Sequence, residues 1–227
     1  MMIKKNICLL AVLFSFIPSL FAQFEGLELE LIDNKGLVPG QTYRVYALMQ
    51  SEGDVIDAIY GEADSPLSLR ARKGFFQHPD GGPLSKNILR FDLEKDELLS
   101  FDSWVTIGAQ DNYQNSVAAF PPGFEESLAS FETGDDLETS DGAWFVTPDQ
   151  LQCLAGSDKR ILLMQFTTVG NVTGTFGVHG RTERDDEGNF NVIQIKNVRF
   201  AVKRSFWSRL FNTDSYTFRT SFSTTSS

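Results

Sequence analysis

The sequence predicts an all-β protein: a single antiparallel β-sandwich of jelly-roll type, with long loops and a short C-terminal tail. Three observations predict it. Leu27-Glu28-Leu29-Glu30-Leu31 alternates strictly, which puts apolar side chains on one face of an extended segment and acids on the other. Runs dense in β-branched, aromatic and aliphatic residues recur along the chain. Clusters of Gly, Pro, Asn and Asp between them supply the turns. Many short strands with turn residues between them build sandwiches and jelly rolls.

After the alternating segment, Asn34, Gly36, Pro39 and Gly40 mark a loop. Tyr43–Met49 and Val55–Tyr60 are strand-forming runs on either side of the turn Glu52-Gly53-Asp54, which predicts an antiparallel hairpin. Further strands are expected at Leu67–Arg70 and Trp104–Ile107. Arg160–Thr168 is the most apolar run and is expected at the centre of a sheet. Thr175–His179 and Phe190–Lys196 follow, joined by the acidic turn 184–189. Two stretches break the pattern. Residues 80–100 hold Asp80-Gly81-Gly82-Pro83 and a helical turn near Leu89, Leu93 and Leu98. Residues 109–142 hold Pro121-Pro122-Gly123, a short helix over 124–131 and an acidic run from Asp135 to Asp141.

Composition restricts the function classes. The chain has 227 residues, 41% hydrophobic and 22% charged, enough for one core of good size. Its formal charge of −10 argues against binding nucleic acid, whose phosphates demand basic surface. Two His and two Cys leave little for a His- or Cys-rich metal centre.

The N-terminus decides the compartment. Lys4 and Lys5 precede an apolar run from Ile7 to Ile17, then Pro18, Ser19 and Ala22. This is the pattern of a secretory signal peptide, residues 1–22, cut after Ala22. The run is short for a membrane span, and nothing after it is apolar for long enough to be one. Cleavage removes Cys8 and leaves Cys153 alone, so the exported chain folds without an intrachain disulfide. That suits a bacterial export product, periplasmic or extracellular. The domains expected are the leader, a β-sandwich over 23–202, and a basic-aromatic tail over 203–227. The tail, with Lys203, Arg204, Arg209 and Arg219 among Phe206, Trp207, Phe211, Tyr216, Phe218 and Phe222, is either a last element packed on the body or a docking segment.

Tyr43-Arg44-Val45-Tyr46-Ala47, Asp57-Ala58-Ile59-Tyr60-Gly61 and Phe101-Asp102-Ser103-Trp104-Val105-Thr106-Ile107-Gly108 together resemble an uncharacterised β-rich module that recurs in exported bacterial proteins. The resemblance spans roughly residues 40–108, with a weaker echo over 143–180. It implies export and a β-rich fold, and carries no catalytic residues.

Side chains that can carry chemistry are few. Exposed aromatics on a β-sandwich stack on sugar faces, and Tyr60, Phe75, Phe76, Tyr113 and Trp144 are the candidates for a ligand surface. Core packing is the other role open to each of them, and the expected one for Trp104. Asp135, Asp136, Glu138 and Asp141 offer clustered oxygens to a hard cation such as Ca²⁺, although the EF-hand order is missing; a solvated acidic loop is the preferred reading of the same residues, since charge runs usually face water. No other cofactor is implied. Asp57 and Asp102 are the acids best placed for a structural or catalytic task. His78 and His179 are isolated, and nucleophile-elbow, zinc-protease and phosphate-loop motifs are absent from the sequence.

The function expected is therefore an exported, non-enzymatic module that binds a ligand, either a glycan or a protein partner. Two alternatives stand beside it: an extracellular carbohydrate-active hydrolase using paired carboxylates, and a structural or adhesive component.

Overall fold

The structure is a computed structural model that describes residues 24–204 and 216–223. The leader at 1–22 lies outside the described residues, as do Phe206, Trp207, Arg209 and Phe211. The described strands are β1 (Phe24–Ile32), β2 (Gln41–Met49), β3 (Val55–Gly61), β4 (Leu67–Ala71), β5 (Trp104–Val105), β6 (Ala118–Phe120), β7 (Leu137–Thr139), β8 (Gly142–Phe145), β9 (Arg160–Thr168), β10 (Val172–Arg181), β11 (Val192–Arg204) and β12 (Tyr216–Ser223). Two short helices, α1 (Arg90–Leu93) and α2 (Glu125–Glu132), interrupt them.

The fold is an all-β sandwich of two antiparallel sheets. The smaller has the order β1-β2-β9-β5; the larger has the order β12-β11-β10-β3-β8-β6, with β4 against β10 and β7 against β4. As expected, β9 is central: β2 and β5 flank it, and every residue from Ile161 to Thr168 is buried. The expected hairpin between β10 and β11 also forms, closing at Arg181 opposite Val192.

The expected hairpin between β2 and β3 does not form. β2 pairs with β1 and β9, whereas β3 pairs with β10 and β8. Val45, Ala47 and Met49 on β2 and Val55, Ile56 and Ile59 on β3 all enter one apolar core. Two such strands bury these residues by facing each other across the sandwich, and the turn between them crosses from sheet to sheet. Asp54 holds that crossing. Its buried carboxylate accepts the Ser51 N–H at 2.8 Å and the Glu183 N–H at 2.9 Å.

Aromatic rings join the two layers. Phe166 of β9 stacks on Phe200 of β11 at 6.1 Å between centroids. Tyr43 and Phe75 meet Phe166 at 5.4 and 6.2 Å, and Phe131 of α2 meets Phe75 at 5.2 Å. Each such pair is worth about 0.5–1.5 kcal/mol beyond the area it buries. The C-terminal segment shares in this. β11 runs on through Arg204, and β12 returns antiparallel along it, so the sandwich does not stop at residue 202. Phe218 of β12 reaches Phe200 at 6.2 Å, and Phe222 meets Phe24 of β1 edge-on at 5.3 Å.

Residues 84–101 form a third layer over the outer face of the small sheet. Ile88 and Leu99 from that layer pack on Tyr46, Leu162 and Trp104. The segment 102–108 stitches the layers together. Asp102, fully buried, accepts the His78 N–H at 2.7 Å and the Gly82 N–H at 3.1 Å. Ser103 donates to the Phe76 carbonyl at 2.7 Å and accepts the Thr167 N–H at 3.0 Å. Gly81 and Gly108 are glycines of necessity. A Cβ on Gly81 would fall 2.1 Å from an Asp102 oxygen. Gly108, at φ +75°, lies so close to the Gln152 carbonyl that a Cβ would fall 1.7 Å from its oxygen. The residues that read most like a motif are thus occupied in holding loops to strands.

Two predictions concern this framework. Trp144 of β8 donates its indole N–H to the Thr106 carbonyl at 2.9 Å in a buried site, linking the large sheet to the end of the small one. Trp144→Phe keeps an aromatic ring but removes the indole N–H, orphans that carbonyl and leaves a gap in the core, and we expect a loss of at least about 1–3 kcal/mol in urea unfolding with the fold retained; an unchanged midpoint would contradict the link. Burial pushes the Asp102 carboxyl up from 3.8 to about 6, against the N–H groups that favour its charge. The native state therefore holds a proton that the unfolded chain releases between those values. The contribution to stability is full below pH 3.8 and is lost as pH rises through 6, on the order of 3 kcal/mol in all. Unfolding measured from pH 4 to 7 should show that decline in the wild type, and Asp102→Asn should remove it.

Candidate functional site

The outer face of the large sheet is where the structure gathers solvent-facing rings. Its pairing register sets the arrangement. Along one inner row, Ala119, Trp144, Ile59, Val178 and Ile195 stand opposite one another on β6, β8, β3, β10 and β11, all facing the core. Side chains alternate along a strand, so the rows on either side face outward. One outward row reads Ala118, Phe145, Ala58, His179, Gln194; the next reads Phe120, Ala143, Tyr60, Gly177.

These two rows form a checkerboard. Large residues alternate with Ala or Gly across the strands, and the alternation is offset by one between rows. Phe120, Phe145, Tyr60 and His179 therefore follow one another diagonally, one per strand, while Ala118, Ala143, Ala58 and Gly177 floor the spaces between them. Diagonal neighbours on a sheet face lie about 7–8 Å apart. With strands about 4.8 Å apart, the ribbon crosses roughly 14 Å of sheet. Phe120 is 62% exposed at the β6 edge, and Phe145 is half-buried. Tyr60 is half-buried and lies flat over Gly177, where a Cβ would come within 2.5 Å of the ring. Its hydroxyl is enclosed with Gln194 alongside, and burial raises its pKa.

The ribbon ends on a polar pair. His179 Nδ1 lies 2.6 Å from Oδ1 of Asp57, whose carboxylate is buried at a bulge in the β3–β10 pairing. The hydrogen bond to Asp57 raises the His179 pKa, against the opposing effect of its partial burial. With Nδ1 engaged, Nε2 has no partner among the described residues. The Cys153 thiol lies behind Asp57. Burial first, and the Asp57 charge second, push it up to about 11, and it donates to the Gln150 carbonyl at 2.9 Å. It is a buried neutral thiol, not a nucleophile.

Of the ligand candidates read from the sequence, only Tyr60 stands on this ribbon. Trp144 and Phe75 are core residues, 1% and 7% exposed, so neither faces a ligand. The parity of β8 explains Trp144: its neighbours Ala143 and Phe145 take the outward positions. Phe76 is half-buried in the loop after β4, with its carbonyl held by Ser103. Tyr113 is exposed on a separate loop, under the Arg90 guanidinium at 4.3 Å.

The acidic run does not converge. Asp136 accepts the Ala71 N–H at 3.0 Å, Glu138 pairs with Arg70 across β4 and β7, and the Asp141 N–H is turned onto Thr139. Asp135, Asp136 and Glu138 line a cleft of about 720 Å³ beside α2, which they share with Arg72. Among the described residues, no three His, Cys, Asp or Glu side chains are grouped to hold a metal ion. Nor is any described helix long and apolar enough to cross a membrane.

Phe120 and Phe145 are not among the candidates that the sequence offers, and His179, which in sequence is an isolated histidine open to a ligand or base role, gains its partner only through the fold. Phe145 was within reach, because Trp144 and Phe145 are consecutive and one of them must face out. Phe120 lies on a strand of three residues, too short to show a period.

Comparison with protein-family models, with curated proteins and with solved structures finds no match to this chain.

The chain has two histidines, which makes the dyad simple to observe. In an NMR pH titration, His179 should titrate above 6.5, and Asp57→Asn should bring its midpoint back toward 6.5. The pairing stabilises the fold below pH 6.5 and its contribution fades as pH rises past the raised value. A wild-type midpoint at or below 6.5 would contradict the hydrogen-bonded arrangement.

Proposed function

We propose that the protein is an exported binding module that holds a sugar chain against the outer face of its large sheet. One observation carries the reading: the register that lines up Phe120, Phe145, Tyr60 and His179 as a ribbon with small residues between them. Pyranose rings have apolar C–H faces that settle on aromatic rings, and polar edges that need donors and acceptors. The ribbon supplies the first, and His179 Nε2 and Gln194 supply the second. Ala58, Ala118 and Ala143 leave the space in which a ring can sit close to the sheet, while Gly177 lets the Tyr60 ring itself lie against it. Export is supported by the residues around Lys4, Lys5 and the apolar run to Ile17.

A hydrolase with paired carboxylates needs a raised acid facing its substrate. The acid that burial raises to about 6 is Asp102, and it is sealed beneath the loop 78–82 by the N–H groups it accepts. That placement favours the binding reading over the enzymatic one.

The test is retardation in gels cast with neutral or acidic polysaccharides. The wild-type protein should be slowed by at least one of them. Phe120→Ala combined with Phe145→Ala should weaken that retention about tenfold or more, from the loss of two stacking surfaces. Retention by none of the polymers, or retention indifferent to both rings, would sink the proposal.

A further inference from the structure

The same sheet face carries a second territory that the ribbon does not use. Beyond Gly177, β10 continues outward with Thr175 and Thr173. Thr175 stands opposite Ser68 on β4 and Arg199 on β11, and Arg199 stands opposite Ser221 on β12. In the next row Thr173 is opposite Arg70 and Ala201, and Ala201 is opposite Arg219; Lys203 follows, opposite Thr217. Arg199, Lys203 and Arg219 are all exposed. Two open grooves, of about 580 and 560 Å³, meet here, and Arg199 and Thr175 line both. Ser68, Thr139 and the Arg70–Glu138 pair also line one groove, Arg219 and Ser221 the other.

The charge pattern is unusual for a chain with a net −10. The nearby acids have cations of their own, although Glu62 and Asp64 share one lysine and so leave one negative charge over. Glu138 pairs with Arg70, and Glu62 and Asp64 both pair with Lys196. Arg199, Lys203 and Arg219 have no acidic partner among the described residues. Cations without an acidic partner among the described residues, set among hydroxyl groups, suit an anion: the guanidinium fork matches a planar carboxylate, and Ser and Thr add donors. At physiological ionic strength the acidic remainder of the molecule is screened beyond about 8 Å, so this local field is the one a bound group feels.

We propose that the ligand of this face is a carboxylated polysaccharide. Its sugar rings lie along the ribbon from Phe120 to His179, and its carboxylates enter the grooves at Arg199 and Arg219. The inference rests on the ribbon being a sugar platform, and adds the charge of the ligand. Thr175 is four residues from His179 on the same strand, about 13 Å at the rise of a strand, so one extended chain touches both territories. A nucleic acid places its charges too densely for three cations on an acidic body. An anionic bilayer would bring a broad negative surface against that same body.

The experiment uses the full chain and four probes: polygalacturonate, its fully methyl-esterified form, dextran sulfate, and vesicles of phosphatidylglycerol. Binding is followed by titration calorimetry at two salt concentrations. The wild type is expected to bind polygalacturonate, to bind the uncharged ester about tenfold more weakly or worse, and to lose affinity as salt rises. Arg199→Gln with Arg219→Gln should cost about tenfold on polygalacturonate and nothing on the ester. Both positions are exposed, and an unchanged unfolding midpoint confirms that the variant folds. Equal affinity for acid and ester, with the arginine pair irrelevant and Phe120→Ala harmful, overturns the anionic ligand and leaves the sugar platform standing. Arginine dependence without any effect of Phe120→Ala or Phe145→Ala overturns both. Binding confined to dextran sulfate or to the vesicles overturns the carboxylated ligand.

Discussion

The constraint on which the rest depends is the register of the large sheet. Ala119, Trp144, Ile59, Val178 and Ile195 share one inner row because each must leave water on the same side. A slip of one residue on any of those strands would turn its apolar set to solvent and its polar set into the core. The inner row is therefore held by the desolvation of Trp144, Ile59, Val178 and Ile195, with Ala119 partly buried at its end. The outer rows inherit their alignment from it. Phe120, Phe145, Tyr60 and His179 need no contact with one another to stand in sequence across four strands.

That inheritance explains why the two sheets differ on their outer faces. The small sheet is covered: residues 84–101 lie over Tyr46, Trp104 and Leu162 and bury them. Holding that layer down takes a dense set of polar bonds, centred on Gln165 and the segment 102–108. Gln165 alone donates to the carbonyls of Ser100 and Asp102 and accepts from Arg44. A buried polar group with its partners in place specifies one arrangement, because every alternative leaves a donor or acceptor unmet. Among the described residues no comparable layer lies over the outer face of the large sheet.

The distribution of charge follows the same division. Most acids lie on loops and edges, where they cap turns or meet single cations. On the outer face of the large sheet, Arg199, Lys203 and Arg219 have no acidic partner among the described residues and stand among hydroxyls. This is the contrast on which the proposed carboxylated ligand rests. Strand β12 is essential to that face, since Arg219 and Ser221 come from it and Arg199 and Lys203 stand on the strand it pairs with.

The sequence by itself determined the fold class and most of the strand positions. Alternation at Leu27–Leu31 and the apolar run Arg160–Thr168 are local properties of an extended chain, and they read directly. It also carried Tyr60 as a candidate and the choice between core and surface for Trp144 and Phe75. Only the tertiary structure decided those choices. It sent β2 and β3 to opposite sheets, drew β12 onto the edge, put Trp144 inside and Phe145 outside, and paired Asp57 with His179 across 122 positions of sequence. The physical reason is that a period of two says which side chains share a face, but not which face is buried. That is settled by pairing between distant strands, where the gain from excluding water is shared by the whole sheet and belongs to no single segment.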